Sequence, residues 1–307
     1  MGSFSGQFVP GLALTLLGLW HTLNTIKAYS LRGPTGFSSR FWYPFNSSIF
    51  SIKHLELIFI FSFSLFAIAL QVLDYPLLHL SFKLSNFEHA TVSLHLAIYS
   101  GVALAVEFTH SLENLTGLVG VLVASVFGQE LFLLHLHSAE HVGLEGHYHW
   151  LLQLIVSVSL VAAMAATSNP RSFVAALVLS LSVVLQGCWF MNMGVVLWVP
   201  RFVAEGCSVM RLARLGGDDE LHAVITCGTE DAVLRAKALA NLQLSWIVAA
   251  ILILAACLCL KLAGKGIQRN GSTDSEQLLS GGVLVGRISI VIDTSKQVHT
   301  SLVNLVS

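Results

Sequence analysis

Charge is what this chain has least of. Asp, Glu, Lys and Arg supply 11% of its 307 residues, where a soluble domain carries about a quarter. The 16 Lys and Arg nearly balance the 17 Asp and Glu, which excludes the basic face that a nucleic-acid partner requires. Cysteine is scarce as well. Of the five cysteines, Cys188, Cys257 and Cys259 lie in apolar segments, so there is no disulfide framework. Cys207 and Cys227 share a polar loop and can pair where that loop faces an oxidising lumen, but nothing in the composition asks for the bond and none is expected. The N-terminus has no basic region and no small-residue cleavage site, so no cleaved signal peptide is expected. "MGSFSG" misses a myristoylation signal at Gly6, where Ser or Thr is needed.

Apolar sequence is what the chain has in excess. It is 55% hydrophobic with a mean hydropathy of +0.76, and the reading is an all-α, polytopic membrane protein whose partner is the lipid bilayer. A span takes about 20 apolar residues. Seven segments qualify: 8–28, 55–73, 90–108, 115–137, 149–166, 173–199 and 239–260. They predict a bundle of seven transmembrane helices over residues 1–262. The third to fifth segments have short connections and should be neighbours. Residues 263–307 read as a flexible cytosolic tail rich in Gly, Ser, Thr and Asp, with one strand-length apolar stretch. Within residues 200–238, "RLARLGGDDELH" suggests a short amphipathic surface helix. There is no internal repeat.

Orientation follows Lys and Arg near the spans. Lys27, Arg32, Arg40 and Lys53 flank the first connection, and Lys261, Lys265 and Arg269 follow the last span. With seven spans these lie on one side, so the N-terminus is lumenal or outside and the C-terminus cytosolic. The basic residues of the sixth connection argue against this. The sequons at Asn46, Asn114 and Asn270 then face the cytosol and should carry no glycan.

Ionisable residues inside spans are costly and mark function or cross-helix bonding. The stretch "HLHSAEHVGLEGHYHW", His135–Trp150, holds five of the 13 histidines. Residues seven apart on a helix lie about 20° apart in projection. Glu130, His137 and His141 therefore share one face, and Glu88, His95 and Tyr99 another. Glu145, His149 and Gln153 form a looser stripe. Three neighbouring helices can bring His95, Glu130, His137, Glu145 and His149 to one pocket. Imidazole and carboxylate suit zinc or iron, and also nickel or manganese. The same residues can titrate in an acidic lumen, or they can only bond helix to helix. His135, His141 and His147 read as solvated loop residues. His21, Asn24, His54 and Glu56 read as packing and interface residues near the opposite side. Gln186, in "LQGCWFMNMGVVLWVP", is placed to hydrogen-bond across the bundle.

Several of these segments resemble the transmembrane protein 45 family, in particular its plant viral-response branch. They are "PGLALTLLGLWHTLNTIKAY", "HLAIY", "GQELFLLHLH", "EGHYHWLL" and "LQGCWFMNMGVVLWVP". Their order and spacing carry the resemblance over residues 1–262; the tail departs from it. The resemblance implies a seven-span endomembrane protein with no established activity, linked by name to virus response. Its polar positions fall on His95, Glu130, His137, Glu145, His149, Gln186 and Trp189.

The expected function is therefore that of a non-enzymatic membrane protein of trafficking or defence, in a Golgi, endosomal or plasma membrane. Its His/Glu cluster binds a metal or senses pH. The rivals are a membrane-embedded metal enzyme acting on lipids and a proton-coupled transporter. No catalytic residue is evident. The lipid oxidases need more His boxes than this chain has, and neither inverted repeats nor paired broken helices are visible.

Overall fold

The computed structural model describes residues 4–45, 53–73, 84–109, 112–140, 143–212 and 222–262. The chain divides into two units, Met1–Leu258 and Cys259–Ser307. Of the second, only the last turn of the final helix is described, and the expected tail lies outside the described residues.

Seven α-helices run through the described residues: α1 (Phe4–Gly36), α2 (Leu55–Leu73), α3 (Leu84–Phe108), α4 (Leu112–Glu140), α5 (Leu144–Ser168), α6 (Phe173–Trp198) and α7 (Glu230–Leu262). Each predicted segment falls within one of them, save that the sixth runs one residue past α6, to Val199. Five stretches are long and apolar enough to cross a membrane: Ala90–Phe108, Leu115–Leu136, Leu144–Ser168, Phe173–Trp198 and Glu230–Leu262. The apolar part of α2, Leu55–Gln71, is shorter. In α1 the apolar run is diluted by His21, Asn24 and Lys27. The chain is thus an integral membrane protein by its helices. Its outward residues agree, since Phe59, Phe66, Phe132 and Trp246 are all more than half exposed and suit a lipid solvent.

The helices pack in the sequence α1, α6, α5, α4, α3, α2, so that α3 to α5 are successive neighbours. The order places α1 along α6 because both helices are small there. A Cβ on Gly11 would stand 2.8 Å from the Gly187 carbonyl oxygen, and one on Gly18 would stand 2.6 Å from the Val184 nitrogen. A Cβ on Gly187 would collide with the Thr15 backbone nitrogen. Close backbone approach through small residues is the usual way helices associate in lipid, where no hydrophobic gain separates a neighbour from a lipid tail. α1 is kinked at Gly33, whose φ of 69° suits glycine, directly before Pro34. At its start α6 is capped by Ser172, whose side chain accepts the Ala175 N–H.

Two apolar cores result. One joins α4, α5, α6 and the start of α7 around Leu152, Val156, Trp189 and Met193. The other joins α2, α3 and α4 with residues 37–45 around Phe41, Leu57, Tyr99 and Ala103.

The connection from α6 to α7 departs from the sequence reading twice. After a single 3-10 turn at Pro200–Phe202 it contains an antiparallel hairpin, β1 (Cys207–Leu212) with β2 (His222–Cys227), and the described residues of "RLARLGGDDELH" are not helical. Arg211, Leu212 and His222, read as parts of a helix, are strand residues; residues 213–221 lie outside the described residues. At the described positions the β-branched sequence in "HAVITC" favours a pleated surface. The second departure is a disulfide between Cys207 and Cys227, which are directly opposite in the hairpin register. Twenty residues apart, they meet only because the strands pair.

Candidate functional site

Polar side chains gather at two places. The first lies between α4, α5, α6 and α7, toward the end of the bundle that carries the hairpin. Glu130 on α4 accepts a hydrogen bond from the Gln186 amide of α6, with Nε2 to Oε1 at 2.6 Å. Gln186 is 1% exposed, and a buried carboxyl in a span needs such a donor. One turn further toward the hairpin, the Trp189 indole donates to the Tyr148 carbonyl oxygen of α5 at 3.1 Å, and the two rings stack. The Tyr148 hydroxyl then donates to Gln243 Oε1 of α7 at 2.9 Å. The Asn192 amide of α6 reaches the same oxygen at 3.1 Å. Gln153 of α5 donates to the Leu134 carbonyl of α4 at 3.0 Å.

The candidate residues fall differently. Glu145 and His149 come together, with Oε1 and Nε2 3.9 Å apart and one helical turn between them. The helix of α5 begins at Leu144, earlier than the predicted span, and this puts Glu145 on the stripe with His149 and Gln153. His149 is buried. His95 turns to its own helix, where Nδ1 lies 2.9 Å from the Thr91 carbonyl oxygen. The backbone of α4 stays helical through His137 to Glu140, but the His137 side chain lies outside the described residues, as does His141. His135 is exposed, and His147 bonds Asn241 Oδ1 at 2.9 Å. Among the described residues no three His, Cys, Asp or Glu side chains stand close enough to hold a metal ion. A structural zinc takes four donors and a catalytic one three. Glu145 and His149 offer a carboxylate and an imidazole, two of the required kinds.

The second place is at the other end of the bundle, and sequence spacing did not single it out. Glu56, in the first turn of α2, is surrounded by donors. Its Oε1 lies 2.7 Å from His21 Nε2, and its Oε2 accepts from the Trp20 indole and from the Tyr43 backbone N–H, both at 3.0 Å. Tyr43 continues the network to Thr25 at 2.9 Å. Tyr99 of α3 donates to the Phe41 carbonyl at 2.6 Å. One carboxylate thereby ties α1, α2 and residues 37–45 together. Burial pushes the Tyr43 phenol above its ordinary value of 10.0, while the Thr25 bond and Arg40 pull it the other way. The signal available in the sequence was Glu56 at the mouth of an apolar segment beside His54. Its partners His21 and Trp20 lie some 35 residues away, where no periodicity reaches.

Residues 116–260 match the model of a family of unknown function, DUF716. That region runs from α4 to the end of α7 and is just under half of the chain. It contains Glu130, Glu145, His149, Gln186 and Trp189, and therefore the whole first polar group. His21, Glu56 and His95 precede it.

Proposed function

We propose that the protein is a non-enzymatic, seven-span protein of an endomembrane, with its N-terminus in the lumen and its C-terminus in the cytosol. It acts through its surfaces on other membrane components, in the manner that the resemblance to the plant viral-response branch of the transmembrane protein 45 family suggests. The observation that carries this reading is how the interior polar groups are used. Glu130, Gln186, Trp189, Tyr148, Asn192 and Gln153 bond helix to helix. Polar groups spent on helix association are consistent with a scaffold. The Cys207–Cys227 disulfide supports the orientation. Disulfides persist in a lumen or outside the cell, and seldom in the cytosol; seven spans with a lumenal N-terminus put the hairpin there.

The metal reading keeps one observation in its favour, the approach of Glu145 to His149. Elemental analysis of the full chain, purified in lipid nanodiscs, separates the two. The scaffold reading expects no stoichiometric zinc or iron. It also expects Glu130→Gln to keep the fold, because an amide can still accept from Gln186. Gln186→Leu should lower the melting temperature by the equivalent of about 1–2 kcal/mol, a usual size for a polar tie between membrane helices. Near one metal per chain, abolished by His149→Ala, would overturn it in favour of a metal centre.

A further inference from the structure

Three thiols among the described residues are free: Cys188, Cys257 and Cys259. Cys188 is half-buried and shares its surroundings with Thr15 between α1 and α6. The other two lie on the last turns of α7, two residues and so about 200° apart in projection, Cys257 exposed and Cys259 partly buried. We propose that Cys257 and Cys259 are sites of S-acylation by a long-chain acyl-CoA, at the cytosolic face of the membrane.

Three features of α7 lead there. The first is depth. Residues 238–260 carry no charge and are bounded by Lys237 and Lys261. At about 1.5 Å per residue they cover about 35 Å, slightly more than the hydrocarbon core. Cys257 and Cys259 then lie about 6 and 3 Å inside the boundary that Lys261 marks. Thiols beside a membrane interface are the ones that receive acyl chains. The second feature is direction. Trp246 and Ile253, seven apart on one side of α7, are 70% and 65% exposed, and Cys257, one turn beyond Ile253, is exposed too. An acyl chain on Cys257 would run along a helix face already apolar and open to lipid. The third is redox state. The same helix begins three residues after Cys227 of the disulfide pair and ends on two free thiols, as expected when its ends face different compartments. The cytosolic placement of both thiols, and with it the proposal, rests on the orientation proposed above.

The chemistry is a thioester exchange. The cysteine sulfur attacks the acyl carbonyl carbon, a new S–C bond forms, and the bond to the coenzyme A sulfur breaks. Coenzyme A leaves as a thiol carrying the proton lost by the cysteine. Nothing is oxidised or reduced.

The full chain, expressed in plant or animal cells with a C-terminal epitope, provides the test. Free thiols are blocked, thioesters are cleaved with neutral hydroxylamine, and each thiol released is labelled with a mass-tagged maleimide. The expected result is a hydroxylamine-dependent shift of one tag per acylated cysteine. Cys257→Ser should lose one tag, the double variant Cys257→Ser/Cys259→Ser should lose all, and Cys188→Ser should lose none. No hydroxylamine-dependent shift, or a shift that survives the double variant, would overturn the proposal. Protease treatment of sealed microsomes separates this failure from a failure of orientation. An accessible epitope with no thioester sinks acylation alone, whereas a protected epitope sinks the orientation and acylation with it.

Discussion

At the scale of residues, Glu56 is the most heavily committed group among the described residues. Its two oxygens hold His21, Trp20 and the Tyr43 backbone. Removing a buried partner leaves the others desolvated and unpaired, which costs about 3 kcal/mol or more. Glu56→Ala should therefore lower the melting temperature more than Glu56→Gln, which can still accept from Trp20 and Tyr43. Equal losses would show that the carboxylate's acceptors are not what matters. Tyr43 adds a pH signature. Its phenol is held above 10.0 in the fold, chiefly by burial. A group whose folded value is raised binds its proton more tightly when folded, so its contribution is complete below the unfolded value and lost as pH rises through the folded one. Stability should fall above about pH 10, and Tyr43→Phe should make that fall shallower. An unchanged slope would remove Tyr43 from the account.

Legibility was uneven at this scale. Gln186 donates across the bundle to Glu130, and an amide in a long apolar helix has few other uses. His95 places Nδ1 against the helical carbonyl one turn back, at Thr91, a contact that heptad spacing does not indicate. His21 and Glu56 read as packing and interface residues. They do pack, but the 2.7 Å contact between them is long-range in sequence and depends on how residues 37–45 fold back.

At the scale of elements, the apolar segments foretold the helices well. A run of about 20 apolar residues has one stable conformation in lipid, with its backbone bonds satisfied internally. The hairpin was the miss. Its strands are short, the sequence "RLARLGGDDELH" carries charge at helical spacing, and its disulfide exists only once the register brings Cys207 opposite Cys227. The α1–α6 contact was not legible either, since glycines in a span suit both packing and lipid. That contact makes a sharp prediction. Gly187→Ala forces a methyl into the Thr15 backbone, and such overpacking costs about 1–3 kcal/mol. Gly117→Ala on α4, where nothing lies within 4 Å of the added carbon, should be neutral or stabilise by up to about 1 kcal/mol through helix propensity. Thermal melts in one detergent compare them. Gly187→Ala melting with the parent would mean α1 is held by something other than its approach to α6.

At the scale of the whole molecule, the features converge on orientation. The basic flanks of the first connection and of α7, the oxidised hairpin, and the free thiols at the far end of α7 all agree with a lumenal N-terminus and a cytosolic tail. The basic residues of the sixth connection argued against this in the sequence. A disulfide there speaks to the compartment itself, while loop charges express only a bias. The most direct measurement is protease protection of sealed microsomes, with one epitope in the hairpin connection and another after residue 262. The account predicts that the hairpin epitope survives until detergent opens the membrane, while the tail epitope is lost at once. A digested hairpin with a protected tail would contradict it, as would glycan on Asn46, Asn114 or Asn270.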